Sequence, residues 1–408
     1  MTSPTGPKVL VVTPFPVWPQ SHGGRVRTFR LAAGLREAGL TVDVLCPWTP
    51  GEPWRSFQRD GVTVHPHVLA AGALRLLARE RWVPSLVTLS FEPPWTGWPR
   101  QLRRFADYDV MQFEFCAHAA WMSRTPSGPR VVYSAHNVEA DYTRAQTGRR
   151  LGLNRFTHRV ESLERKAVTA SDVVLACTVR DADRLRELYA PRGEVVTVPN
   201  GFDGSLLDFD RDRIRASARA QFGLAEGDLA LLFVGGRAPH NIDAVRFLSR
   251  DVLPRLGRRA HLLLGGDCGD AVAGGPTGRI HRLGFVRDLG PVWAAADVAV
   301  NPVAFGSGSS LKLLEYLAVG LPVVTTAFGL RGFEELRAAT TLAARQGFVD
   351  AITGLPPAIP DVRAALTPFT WTTIGRRLGE VYDRLTRTPK PRLDGTGSPV
   401  AAVERRPT

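Results

Sequence analysis

The chain has 408 residues, 44% of them hydrophobic, with a formal net charge of +13 at pH 7. That length allows two or three domains with large cores, and it excludes the short disulfide-framed and low-hydrophobicity disordered classes. The basic excess is almost entirely arginine spread along the chain, with lysine only at positions 8, 166, 312 and 390 and no aromatic-rich RNA-binding signature, which argues against a nucleic-acid partner. The four cysteines, Cys46, Cys116, Cys177 and Cys268, are scattered through apolar stretches without the spacing of a metal knuckle or a disulfide framework, and read as buried thiols in a reducing compartment.

The opening "MTSPTGPKVLVV" lacks the basic start, apolar run and cleavage site of a signal peptide, and no run of about 18 apolar residues occurs, so the expectation is a cytoplasmic protein. From "KVLVVTPF" onward, short apolar runs alternate with helical patterns, which predicts α/β layering on parallel strands. "RVRTFRLAAGLREAGL" reads as an amphipathic helix ended by Gly39, with Gly23 and Gly24 in the loop ahead of it, where the missing Cβ lets backbone approach a ligand. "TVDVLCP", "VTVHPHV", "DVMQFEF", "VVYSA", "DVVLAC" and "EVVTVPN" are the further strands of a first sheet.

After "VPNGFD" the cycle restarts with a polar helix and then "ALLFVGG", "AHLLLGG", "RIHRLGF", "DVAVNPV" and "LPVVTT". The economical reading is two doubly wound, Rossmann-like domains facing a cleft: residues 1–199 and 200–367, a helix over 368–388 that crosses back to the first domain, and a disordered Pro- and Gly-rich tail over 389–408. Ligand is expected where the carboxyl ends of the strands face that cleft.

Chemistry concentrates in "NPVAFGSGSSLKLLEYLAVGLPVVTT". Here "DVAVNPV" is a strand and "SLKLLEYLAVG" a helix capped by Ser309 or Ser310, so strand, glycine-bearing turn and helix start form a cradle of N–H groups suited to an anion. Lys312 lies in the first helical turn, against the positive end of the macrodipole, a placement that an anion would favour. Glu315 follows one turn deeper on the same face; the plain alternative is that the two side chains pair on a solvated surface. "GSGSSL" carries only part of a dinucleotide fingerprint, and Thr325 and Thr326 stand after the next strand instead of an acid, which argues against a nicotinamide enzyme.

"FGSGSSLKLLEYLAVGLPVVTT" resembles the donor-binding segment of the family-4 retaining glycosyltransferases of GT-B architecture, in the branch written G-x-G-x-x-x-K-x-L-E. The likeness extends to "PFPVWPQSHGGRVRTFRLAAGLREAGLTVDVL", "YSAHNVE", "VPNGFD", "FVGGRAPHNIDAVRFL" and "LGFVRDL", in the family's order. It implies that Glu315 binds the ribose hydroxyls of a nucleotide, and that Ser309, Ser310 and the N–H groups around Gly308 and Leu311 hold the donor diphosphate with Arg237. Gly23 and Gly24 would meet the diphosphate or sugar from the other side of the cleft. His136 would contact the transferred sugar, with Asn137 beside it and Glu139 orienting it or meeting the acceptor, and backbone around Phe285 and Val286 would frame the base.

Two departures from the family pattern stand out. Ser307 replaces the first acid of the usual E-x7-E pair, and Asn241 and Ile242 stand where a lysine usually follows the arginine, so Lys312 is expected to supply the missing cation. "DYD", "DAD", "DFD" and "DRD" occur in stretches that read as surface turns or helix starts, so no metal is expected, and no cofactor beyond a nucleotide diphosphate sugar as co-substrate. The implied reaction is transfer of a sugar to a hydroxyl acceptor with retention of configuration. The competing readings are a sugar-nucleotide epimerase or hydrolase on the same frame, and a non-catalytic sugar-nucleotide-binding protein. "PWTPGEPWRS" and "FEPPWTGWPR" offer aromatic loops to an acceptor, and the basic stretch "RFTHRVESLERKAV" reads as a solvated helix face, with a weak peripheral membrane contact as its other use. The oligomeric state is not assigned by the sequence.

Overall fold

The computed structural model describes residues 6–18, 20, 23–48, 51–67, 107–122, 125, 128–147, 154–272, 278–306, 308–356 and 361–388. The expected tail over 389–408, Ser307 and the aromatic loop "FEPPWTGWPR" lie outside the described residues.

The first domain is built on strands β1 (Lys8–Val12), β2 (Thr41–Pro47), β3 (Phe57–Arg59), β4 (Val62–His67), β5 (Val110–Glu114), β6 (Arg130–Ser134), β7 (Val173–Ala176) and β8 (Glu194–Thr197). They form one eight-stranded sheet in the order β3-β4-β2-β1-β5-β6-β7-β8, and β3 is its antiparallel edge strand. The inner strands are Val- and Leu-rich because helices cover both of their faces, as a parallel sheet requires. Among the described residues this sheet is flanked by α1 (Gly23–Glu37), α2 (Glu139–Thr147), α3 (Asn154–Ala170), α4 (Val179–Tyr189), a single helical turn at Ala119–Met122 and, from the end of the chain, the helix Trp371–Arg387.

Helix α1 ends as its glycine predicts. Gly39 adopts φ 94°, and the N–H groups of Gly39 and Leu40 donate to the carbonyls of Arg36 and Leu35, satisfying the last turn. Its start differs from expectation, because Gly23 and Gly24 form the first turn of the helix instead of a preceding loop. The apolar side of α3 faces inward, with Val160, Ala167 and Val168 in the core and Phe156 and Leu163 packed against it. Among its described side chains His158, Arg159, Arg165 and Lys166 are exposed.

The second domain carries α5 (Arg211–Gln221), β9 (Leu229–Val234), α6 (Pro239–Phe247), β10 (Ala260–Gly265), β11 (Ile280–Gly284), α7 (Gly290–Ala295), β12 (Val298–Asn301), α8 (Leu311–Ala318), β13 (Val323–Thr325) and β14 (Thr341–Leu342). The six strands are all parallel, in the order β11-β10-β9-β12-β13-β14. Both sheets therefore reverse their strand order beside their first strand, at β1/β5 and at β9/β12, and each reversal opens a crevice at the carboxyl ends of the strands.

The chain crosses between the domains twice, side by side. Phe202 N donates to Phe369 O at 3.1 Å, and Trp371 N donates to Phe202 O at 3.0 Å. The helix Trp371–Arg387, here α9, then lies on α1, where two glycines permit close approach: a Cβ on Gly34 would stand 2.6 Å from the Trp371 carbonyl oxygen, and one on Gly375 2.2 Å from the Gly34 carbonyl carbon. Trp371, Ile374, Leu378, Val381 and Tyr382 complete the first domain's core. All four cysteines are buried and free.

Candidate active site

A cleft of about 880 Å³ opens between the two crevices. Its second-domain wall is the turn from β12 into α8, with Gly306, Gly308, Ser309, Ser310, Leu311, Lys312 and Glu315, and its first-domain wall includes Gly23, Val26 and Arg30 of α1. The domains meet closely here: a Cβ on Gly23 would lie 3.2 Å from Leu311 Cδ1, and one on Gly308 would lie 3.1 Å from Asn137 Oδ1 and 3.3 Å from the His136 carbonyl oxygen. Gly308 also takes φ 63°, in the left-handed region, so both space and backbone select glycine.

The turn is braced from behind. The Arg331 guanidinium donates to the carbonyls of Gly308 and Gly306. Ser310 occupies the N-cap of α8, yet its side chain makes no capping hydrogen bond. The Ser309 hydroxyl accepts from Asn200 Nδ2 at 2.9 Å, and Asn200 Oδ1 accepts from Arg27 Nη1 at 3.0 Å. Arg27, 1% exposed on α1, also donates to the carbonyls of Pro199 and Val198, so one buried guanidinium ties α1, the interdomain crossing and the serine turn together. Sequence reasoning missed this residue; a charged side chain on the inward face of α1 was the available signal.

Lys312 reaches the position where the sequence departs from the family pattern. Its Nζ donates to Asn241 Oδ1 at 3.0 Å and sits 3.9 Å above the Phe233 ring. Burial pushes its pKa down to about 8, against the pull of Cys268 and Glu315. Glu315 carries the opposite shift: burial raises it to about 7, although the Arg30 and Lys312 charges oppose the rise. Among the described residues the Glu315 side chain makes no hydrogen bond or ion pair, so its carboxylate is available to hydroxyls in the cleft. His240, also unread in the sequence, lines the same wall, and burial with the Lys312 and Arg331 charges lowers its pKa to about 4. Phe285, 64% exposed, and Val286 form the outer end of the cleft.

Arg237 is placed differently from the expectation. It pairs with Asp270 at 2.6 Å, its side chain is 64% exposed, and it is not among the cleft's lining residues. His136 is 7% exposed and likewise not among the cleft's lining residues, its ring tilted 34° against Phe115 with centroids 4.1 Å apart. Its Nε2 bonds Glu114, which also accepts from Thr28 and Gln112, and Gln112 in turn accepts from Tyr382 of α9. Burial lowers the His136 pKa despite that carboxylate. Burial likewise opposes ionisation of Glu114, but the bonds from His136 and Gln112 and the Arg27 charge hold it below the usual range.

Glu139 is fully buried and accepts from Asn137 Nδ2 at 3.0 Å, so its geometry serves to hold Asn137 against the Gly308 turn. Burial and the neighbouring Glu164 raise its pKa to about 8. Glu164 caps the start of α2, accepting from Glu139 N at 2.7 Å and Ala140 N at 3.1 Å. Among the described residues no group of three or more His, Cys, Asp or Glu side chains could hold a metal ion, and no helix is long and apolar enough to cross a membrane.

This arrangement can bind an anion at the start of α8, hydroxyl groups beside Glu315 and a planar group toward Phe285. Known proteins carry the same framework. Residues 21–206 match the family described as Glycosyltransferase Family 4, and residues 228–355 match Glycosyl transferases group 1. A D-inositol 3-phosphate glycosyltransferase of Nocardia farcinica is 27% identical over 255 residues, 56% of this chain and 53% of that one, so the chain spans about half the length of that relative. A glycogen synthase of Mycobacterium tuberculosis is 28% identical over 274 residues, 59% of this chain and 61% of its own length. Among solved structures, sucrose-phosphate synthase from Thermosynechococcus elongatus superposes with a TM-score of 0.68 at 18% identity, covering 93% of this chain and 99% of that one. Anabaena HepE in complex with UDP and glucose gives 0.61 at 15% identity, covering 91% and 98%. At these identities the structural likeness concerns the fold.

Proposed function

Since this chain belongs to the family-4 glycosyltransferases of GT-B architecture, we propose that it moves a sugar from a nucleoside diphosphate donor to a hydroxyl acceptor with retention of configuration. The observation that carries this reading is the wall of the cleft at α8: an N-terminus without a side-chain cap, Lys312 in the first turn and Glu315, whose side chain has no partner among the described residues, one turn on, all lining the cleft that α1 closes from the other side. The helix start and Lys312 receive the diphosphate, Glu315 receives the ribose hydroxyls, and Phe285 and Val286 flank the base. The sugar then lies toward Gly308, Asn137 and the His136 carbonyl, and the Glu114 to Tyr382 network keeps His136 in place.

In the transfer, the acceptor oxygen forms a bond to the anomeric carbon as the bond from that carbon to the phosphate oxygen breaks. The bonding pair leaves with the diphosphate, which takes up the acceptor's proton on the same face. Negative charge grows on the leaving group, so donors already aimed at it stabilise the transition state more than the ground state. Lys312 and the helix start supply that stabilisation, and we assign no metal or further cofactor to the reaction. Arg237 joins the site only by leaving Asp270. The free, buried cysteines are in keeping with a cytoplasmic reaction.

A thermal-shift screen against UDP, GDP, ADP and their sugars tests the reading. A ligand at a hundred times its Kd adds about 2.7 kcal/mol of apparent stability, and a chain stabilised by none of them refutes it. Product analysis with and without acceptor separates transfer from hydrolysis.

A further inference from the structure

The hydrogen-bond polarity of the serine turn is set from the first domain, by groups that act in one direction only. A guanidinium donates and never accepts. Arg27, buried on α1, therefore fixes which end of the Asn200 amide faces it: Oδ1 accepts from Arg27 Nη1 at 3.0 Å, while the carbonyls of Pro199 and Val198 accept further bonds from the same guanidinium. The other end of that amide, Nδ2, then faces Ser309 and donates to its hydroxyl oxygen at 2.9 Å.

A serine hydroxyl has one proton to give. With Nδ2 donating to its oxygen, the Ser309 proton cannot point at Asn200, and among the described residues it meets no acceptor. Ser309 lines the donor cleft, whereas Asn200 and Arg27 are not among its lining residues, so the unspent proton is offered to what enters the cleft. Ser310 is set in the same sense. Its oxygen accepts from Asn301 Nδ2 at 3.4 Å, and that nitrogen is identified by its bond to the Gly329 carbonyl at 3.1 Å. Asn301 ends β12 inside the second domain, whereas the Ser309 relay starts on α1 and passes through the interdomain crossing.

We propose that Arg27 and Asn200 are positioning residues that hold the Ser309 hydroxyl as a hydrogen-bond donor to a phosphate oxygen of the nucleotide. This role rests on the donor reading above, in which the diphosphate lies at the start of α8. A hydroxyl already turned toward the phosphate needs no reorientation as negative charge grows on the leaving group, and the buried guanidinium polarises the amide and the hydroxyl in series. The first domain thereby acts on the leaving group through two side chains that do not touch it.

Titration calorimetry of the full chain with UDP, and with uridine as the control that lacks a diphosphate, tests the relay by the background in which Ser309→Ala is made. In the wild type, Ser309→Ala should weaken UDP about tenfold and leave uridine unchanged. Asn200→Asp keeps the shape and keeps Arg27 paired, but its carboxylate accepts the serine proton and turns it inward. In that background Ser309→Ala should cost nothing. Asn200→Leu frees the hydroxyl over its staggered wells, so Ser309→Ala should cost about threefold there, and this pair carries the test if the aspartate variant does not fold. Asn200→Asp alone should bind UDP more weakly than Asn200→Leu yet melt at the higher temperature, whereas a residue that only holds the fold gives the same order in both measurements. An equal cost of Ser309→Ala in every background, or no cost in the wild type, would overturn the relay, and a retained UDP thermal shift would then leave the donor reading standing. Absence of any UDP shift in the wild type would overturn both.

Discussion

Replacing Lys312 with methionine removes the cation while keeping an apolar stem against Phe233. Two effects of opposite sign follow. In the free protein, burial holds the ammonium's pKa at about 8 instead of 10.5, so the charged form is disfavoured; at this half-buried position that amounts to about 1–2 kcal/mol after solvent screening. Methionine relieves that cost but leaves Asn241 Oδ1 without its 3.0 Å donor, worth about 1 kcal/mol, so the free variant should be as stable as the wild type or slightly more so.

With ligand, the sign reverses. A unit charge about 4 Å from a phosphate oxygen contributes about 4 kcal/mol at an effective dielectric of 20, and about 2 kcal/mol after the cost of desolvating both groups, so UDP affinity should fall roughly thirtyfold. Titration calorimetry with UDP and with uridine separates the cause, since uridine carries no diphosphate and should lose nothing. The pH dependence gives a further check. Lys312 is charged below about 8 and neutral above it, so wild-type UDP affinity should drop by up to about tenfold from pH 7 to 9, while the variant stays flat. Unchanged UDP affinity in the variant would refute the placement of the diphosphate at α8.

Glu315→Gln should weaken UDP and uridine alike, by about 2 kcal/mol, because the lost partner is the ribose. The same variant should gain stability at neutral pH: the folded carboxyl keeps its proton up to about 7, so the wild type loses stability as pH rises from 4.5 to 7, and glutamine does not. Gly34→Ala should lower Tm by several degrees in a thermal melt, since its Cβ would stand 2.6 Å from the Trp371 carbonyl oxygen and force α1 and α9 apart. Transfer assayed in excess EDTA should run at the full rate; a strict divalent-ion requirement would contradict the assignment of charge stabilisation to Lys312 and the helix start.

Much of the framework was legible because its signals are local. Runs such as "KVLVV" and "LALLFV" read as strands buried on both faces, Gly39 read as a helix end, and the serine turn before "LKLLEYLA" read as a helix start. The start of α1 was misread because glycines at a helix N-terminus look, in sequence, like glycines in a loop; Gly23 and Gly24 are helical here.

What the sequence by itself determined was therefore the pair of doubly wound sheets and the cluster of Lys312, Glu315 and the glycine turn, since neighbours in the chain specify each of these. Only the tertiary structure decided which cation reaches which partner. Lys312 meets Asn241 from 71 residues away, Ser309 meets Asn200 from 109, and Arg237 turns to Asp270 outside the cleft. Such contacts depend on how two separately formed sheets face each other, and long side chains such as arginine and lysine take their direction from the charges and cavities that this packing creates. No periodicity along the chain records that geometry.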